Sequence, residues 1–164
     1  MRLTDRDLDP RGLITQLGMR PHPEGGYFAE IFRHSPADGS RGHSTAIYYL
    51  LTPGDRSHWH RVDADEGWHW YGGGALELRL SDGKGVKTIL LGPDLAAGQR
   101  PFAMVPRGMW QAAAPRDGWV LCGCTVAPAF TFDGFELAPP DWEPPSDDRS
   151  AEEREGLNRK GGEA

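Results

Sequence analysis

Two cysteines in 164 residues are too few for a disulfide framework, so a reducing, cytoplasmic setting is expected. Long apolar runs are missing too. The densest, Ala46 to Leu51, falls far short of the ~20 residues that a membrane-spanning helix requires, and no membrane partner is expected. Positive charge is scarce: 18 Lys and Arg face 24 Asp and Glu, for a formal charge of −6. That balance excludes the basic face demanded by a nucleic-acid backbone. The first residues alternate in charge (Arg2, Asp5, Arg6, Asp7, Asp9), unlike the basic start and apolar stretch of a secretory leader. Amphipathic helical stripes are nearly absent, and 22 Gly with 14 Pro argue for many turns and against a helix bundle.

The aromatic residues mark where a core can form: fifteen of the sixteen lie between Tyr27 and Phe135. One helix is signalled, over about 10–17. Asp9 is its N-cap, Pro10 takes the first position, Leu13, Ile14 and Leu17 form an apolar stripe, and Gly18 stops it. Short runs between turn residues follow, and strands are expected near 27–33, 44–52, 57–61, 66–71, 75–80, 86–91, 102–105, 110–114, 119–126 and 130–136. Breaks such as Pro53-Gly54-Asp55, Gly72-Gly73-Gly74 and Asp82-Gly83-Lys84-Gly85 separate them. Roughly ten strands with regular turns mean an all-β sandwich or barrel. From residue 139 the composition changes, and Asp141 to Ala164 hold eight acids against four bases with Trp142 as the one aromatic. The expectation is a domain over 1–138 and an acidic, Pro-rich, disordered tail over 139–164.

Two-residue alternation in the strand at 66–71 puts Glu66, Trp68 and Trp70 on one face, and Gly67, His69 and Tyr71 on the other. A carboxylate sharing a face with two indoles is costly unless it is partnered or lines a wet cavity, which marks a candidate site. The densest chemistry lies just upstream, in Ser57-His58-Trp59-His60-Arg61. In spacing, Gly54, His60, Glu66 and Gly73 resemble the first motif of the cupin superfamily, with Val62 where that motif has its second histidine. Gly98, Pro106 and Gly108 resemble the second motif, with Gln111 in place of its histidine. More closely, the chain resembles the small cupin-5 subfamily, a domain of unknown function, over about residues 10–138. The matching stretches include Pro21-His22-Pro23-Glu24-Gly25-Gly26-Tyr27-Phe28, Asp65-Glu66 and Val105 through Ala113. The resemblance implies a double-stranded β-helix (the cupin jelly-roll barrel), usually a homodimer, with an internal pocket and structural kinship to sugar-nucleotide epimerases. It brings no established reaction.

His60 and Glu66 are the catalytic candidates, an imidazole poised near neutral pH by a carboxylate. Trp68, Trp70, Trp110, Gln111, Tyr49 and Glu24 are the candidate ligand-binding residues, the indoles serving as a stacking wall or simply filling the barrel. With Val62 and Gln111 at two ligand positions, no metal cofactor is expected, and any divalent ion is weak or adventitious. If one binds, its candidate ligands are His58, His60 and Glu66, since a regular strand points His58 the same way as His60. Cys122 and Cys124 are expected to be buried and unreactive. Three functions compete: metal-independent isomerase or epimerase chemistry on a small polar metabolite, non-catalytic binding of a small aromatic or sugar-like ligand, and a metal-dependent oxygenase or hydrolase. The partner in each is a small molecule.

Overall fold

Asp9 accepts a hydrogen bond from the Arg11 N–H at 3.0 Å, and helix α1 (Pro10–Gln16) follows in a computed structural model that describes residues 2–5 and 7–145. Eleven strands come after it among the described residues: β1 (Arg20–Pro21), β2 (Tyr27–Arg33), β3 (Thr45–Leu51), β4 (Ser57–Val62), β5 (Asp65–Gly73), β6 (Leu76–Ser81), β7 (Lys87–Leu91), β8 (Phe102–Val105), β9 (Trp110–Pro115), β10 (Val120–Ala127) and β11 (Phe135–Leu137). They form two antiparallel sheets, ordered β1-β2-β3-β10-β5-β8 and β11-β4-β9-β6-β7. From β3 to β6, and again from β8 to β11, each strand lies in the opposite sheet to the one before. That winding is a double-stranded β-helix, as expected. No helix among the described residues is long and apolar enough to cross a membrane.

Alternation divides single strands between two cores. Along β3, Ile47, Tyr49 and Leu51 turn between the sheets, where they meet Trp68, Leu76, Leu78, Val120 and Cys122. Tyr48 and Leu50 turn outward and are packed with Leu13, Met19, Trp119 and Leu121, so α1 lies on the outer face of the larger sheet. Each leucine so buried is worth about 1.5–3 kcal/mol.

Three local features differ from the expectation. A two-residue edge strand, Arg20–Pro21, precedes β2, and an edge is where a proline without an N–H is tolerated. The strand expected over 130–136 survives only at its end. Thr131 caps a 3-10 turn, Phe132–Gly134, by accepting from the Gly134 N–H at 3.2 Å, so local cap chemistry outweighs aromatic strand preference. Finally, the opening of the acidic segment lies across the barrel. The Ala138 N–H donates to the Trp59 carbonyl at 2.9 Å, and the Trp142 ring packs 4.6 Å from Trp110 and 6.0 Å from Trp59 between centroids. Trp59 Nε1 donates to Glu143 at 2.8 Å. The rest of that segment, 146–164, lies outside the described residues.

Candidate functional site

The site starts at a turn that glycine makes possible. The His22 N–H donates to the Gly26 carbonyl at 2.9 Å, and the Gly25 N–H to the His22 carbonyl at 3.0 Å. Gly25 has a φ of 112°, and a Cβ there would run into the Arg56 carbonyl oxygen. The turn therefore lies flat against the start of β4, where the His58 N–H donates to the Glu24 carbonyl at 2.8 Å. Tyr49, itself 1% exposed, holds it from the other side by donating its hydroxyl to the Gly25 carbonyl at 2.6 Å. The result is that Glu24 is driven into the barrel and left 8% exposed.

A bulge in β4 brings the second group in. Ser57 pairs with Ala113 and His60 with Gln111, three steps along β4 against two along β9. The extra residue lets both Ser57 and His60 face inward. His58 is turned out, its Nε2 hydrogen-bonded to the Pro139 carbonyl at 2.9 Å. This corrects the expectation that His58 points with His60, which held only for an unbroken strand.

The pairings assign the protons. His60 Nδ1 faces the His58 carbonyl at 2.8 Å, and an oxygen that only accepts requires a proton on that nitrogen. Nε2 lies 3.1 Å from Glu24 Oε2, so one further proton is shared between imidazole and carboxyl. Burial lowers the pKa of His60 and raises that of Glu24, and both directions move the shared proton toward Glu24. The other Glu24 oxygen accepts from the Ser57 hydroxyl at 3.0 Å. His22 Nδ1 accepts the Glu24 N–H at 3.2 Å, which leaves the proton of the neutral ring on Nε2. Burial lowers the His22 pKa as well.

Glu66 is the second buried acid, 7% exposed. Trp68 Nε1 donates to Gln111 Oε1 at 2.8 Å, and Gln111 Nε2 donates to Glu66 Oε2 at 2.6 Å. The indole thereby fixes the orientation of the amide, and the amide holds the carboxyl. Burial pushes Glu66 up to about 7, with Glu24 adding to the rise while His60 and the Gln111 and Cys124 hydrogen bonds oppose it. Burial also raises both thiols, Cys122 to about 12, so neither is a nucleophile at neutral pH.

Glu24, His60 and Glu66 line one cavity of about 80 Å³, together with His22 and Cys124. Apart from Thr45, its remaining wall is apolar and includes Phe28, Phe130, Phe132 and Phe135, and exposed Arg20, Glu30 and Arg33 stand at its opening. Of the expected binding residues, Glu24 lines the cavity, while Tyr49 and Gln111 stand behind it and orient groups that do. The expected indole wall is elsewhere. Trp68 fills the core, Trp70 donates its Nε1 to the Gly74 carbonyl, and Trp110 lies outside the barrel between Arg61 and Trp142. Trp110 precedes inward-facing Gln111 on a strand, and neighbours on a strand cannot share a face. The phenylalanine wall and His22 were missed, although His22, between two prolines and two residues from Glu24, carried a signal.

The arrangement does not suit the metal that cupin motifs hold. Among the described residues no group of three or more His, Cys, Asp or Glu is placed to bind an ion. The His60 nitrogen that faces the cavity is engaged by Glu24, and His58 points away.

The family model Cupin_5, described as Cupin superfamily (DUF985), matches residues 11–138. The X-ray structure of a protein from Shewanella oneidensis is similar at 40% identity and a TM-score of 0.76, over 80% of this chain and 85% of that one. A hypothetical protein from Leishmania major is similar at 28% identity and a TM-score of 0.71, over 80% of this chain and 88% of that one. Oxalate decarboxylase from Bacillus subtilis has a related fold, at 14% identity and a TM-score of 0.55 over 71% of this chain and 29% of that one. None of the curated proteins matches.

Proposed function

We propose, given that this chain belongs to the Cupin_5 (DUF985) family of the cupin superfamily, that its barrel takes up a small polar or sugar-like metabolite and moves a proton on it without a metal. One observation carries this reading: a shared-proton pair, Glu24 and His60 at 3.1 Å, opens onto the same cavity as a carboxyl held at about 7. A group poised near neutral pH both takes and returns a proton, as an isomerase or epimerase requires. In this reading the Glu66 carboxylate removes a proton from the carbon beside a carbonyl. The proton held by Glu24 and His60, or the Nε2–H of His22, is given to the carbonyl oxygen as it becomes negative. Return of the proton to the other face or the neighbouring carbon completes the reaction.

Deuterium exchange followed by proton NMR tests it, on a panel of small hydroxyaldehydes and hydroxyketones with their carboxylated and phosphorylated relatives. The native protein should introduce deuterium beside the carbonyl of at least one compound. Glu66→Gln and His60→Ala should bring that exchange to background while circular dichroism stays unchanged. Equal exchange by all three proteins would remove the reading. The phenylalanine wall favours a second one, binding without chemistry. Native mass spectrometry that finds a co-purified small molecule, with no exchange on the panel, would select it.

A further inference from the structure

Two guanidinium groups stand at the opening of the cavity, and only one is committed to a carboxylate. Arg33 forks onto Glu30, with Nε 3.0 Å from Oε1 and Nη2 2.8 Å from Oε2, and gives Nη1 to the Phe130 carbonyl at 2.8 Å. Arg20 has no carboxylate partner among the described residues, and its Cζ lies 5.0 Å from the centroid of the Phe28 ring. Phe28 in turn makes a T-shaped contact with the His22 ring, centroids 4.6 Å apart. Guanidinium, phenyl and imidazole thus form a column from the solvent to the Glu24–His60 pair. The pKa of His22 is lowered first by burial; Glu24 opposes that shift, and His60 and Arg20 add to it.

The interior offers an anion no fixed positive charge, because burial lowers the pKa of both of its histidines, and Glu66 repels an anion whenever it is ionised. A negatively charged group on a ligand therefore belongs at the opening, and the uncharged remainder belongs inside. The cavity of about 80 Å³ sets the size of that remainder. At about 10–15 Å³ for each water-sized occupant, it admits about five to eight heavy atoms.

We propose that Arg20 selects the substrate: the site takes a compact hydroxylated molecule ending in a carboxylate or phosphate monoester. Arg20 holds the anion at the opening while the uncharged end reaches His60 and Glu66. This rests on the proton-transfer reading of the cavity and names its substrate class. A planar guanidinium matches either oxyanion with two parallel hydrogen bonds, and its stacking on Phe28 keeps it in place before the ligand arrives.

The test is a titration with glycolate, inorganic phosphate and uncharged glycerol at constant ionic strength, read by NMR on the Arg20 Nε–H and the His22 ring. The native protein should bind at least one of the anions saturably. Arg20→Gln should weaken that binding about tenfold or more, the worth of a charge-assisted hydrogen bond, while glycerol responds alike in both proteins. Arg20→Lys, which keeps the charge without the fork or the stack, should fall between them. Tighter phosphate than glycolate assigns a phosphate monoester, and the reverse assigns a carboxylate. Equal anion binding by the native protein and Arg20→Gln, or no saturable binding of either anion, overturns the proposal. Arg20 is exposed, so an unchanged melting temperature checks that the variants fold. Because this binding needs no turnover, its failure would leave the deuterium-exchange result standing, and failure of exchange would leave Arg20 as an anion-binding group while removing its role in selecting a substrate.

Discussion

Replacing Glu66 by Gln should leave stability unchanged in acid and raise it in mild alkali. Burial holds this carboxyl at about 7 against an ordinary 4.5. Below about 4.5 it is protonated in the folded and unfolded chains alike. Between that point and about 7 the unfolded chain releases the proton while the folded chain keeps it, so stability falls as pH rises. Above about 7 both are ionised and the loss is complete. At about 1.4 kcal/mol for each pH unit, the gap between 4.5 and about 7 amounts to about 3 kcal/mol. The amide oxygen of the variant can still accept the Gln111 N–H, now 2.6 Å from Oε2, so the hydrogen bond survives and only the ionisation is removed. His22 and His60, held low by burial, titrate in the opposite sense and largely cancel in the comparison, being common to both proteins. Guanidinium unfolding followed by the fluorescence of the six tryptophans, from about pH 4 to about pH 8, reads the difference directly. The advantage of the variant should grow from near zero to about 3 kcal/mol. A difference that stays flat, or that grows against the variant, would refute burial as the origin of the shift.

His60→Asn should lower deuterium exchange by about 10²–10⁴-fold with circular dichroism unchanged, since it removes an acid-base group and leaves a polar side chain in its place at the cavity wall. Gly25→Ala should destabilise far more than Gly54→Ala in thermal melts. Both glycines have positive φ, but only at Gly25 would the added carbon meet a carbonyl, that of Arg56. Trp142→Ala should cost about 1–2 kcal/mol in urea unfolding and red-shift the emission of Trp59, which it helps to cover. The pairing of two chains implied by the family resemblance is read by sedimentation equilibrium, where a single species of 18.1 kDa would count against it.

Much of the fold was legible because it rests on local chemistry. Asp9, Pro10 and Gly18 mark a helix within ten residues of chain, and the Gly and Pro breaks place nine of the ten expected strands within a few residues of where they lie. The tenth, at 130–136, failed for an equally local reason, the Thr131 cap. Alternation put Glu66 on the face it shares with Trp68 and Trp70, and the same rule, applied to neighbouring Trp110 and Gln111, would have turned Trp110 outward.

What the amino-acid order determined alone was where strands begin and end; that His60 and Glu66 would face one cavity was implied by the resemblance of their spacing to the cupin motif, and both line that cavity. Which histidine faces inward was decided by the pairing of β4 with β9. A bulge is one residue counted against a partner more than forty positions away, and no pattern within β4 records it. The shared proton belongs to the same class. Glu24 and His60 lie far apart in the chain, and each would titrate normally in water. Only a closed β-wall that removes both from solvent at 3.1 Å gives one proton two owners.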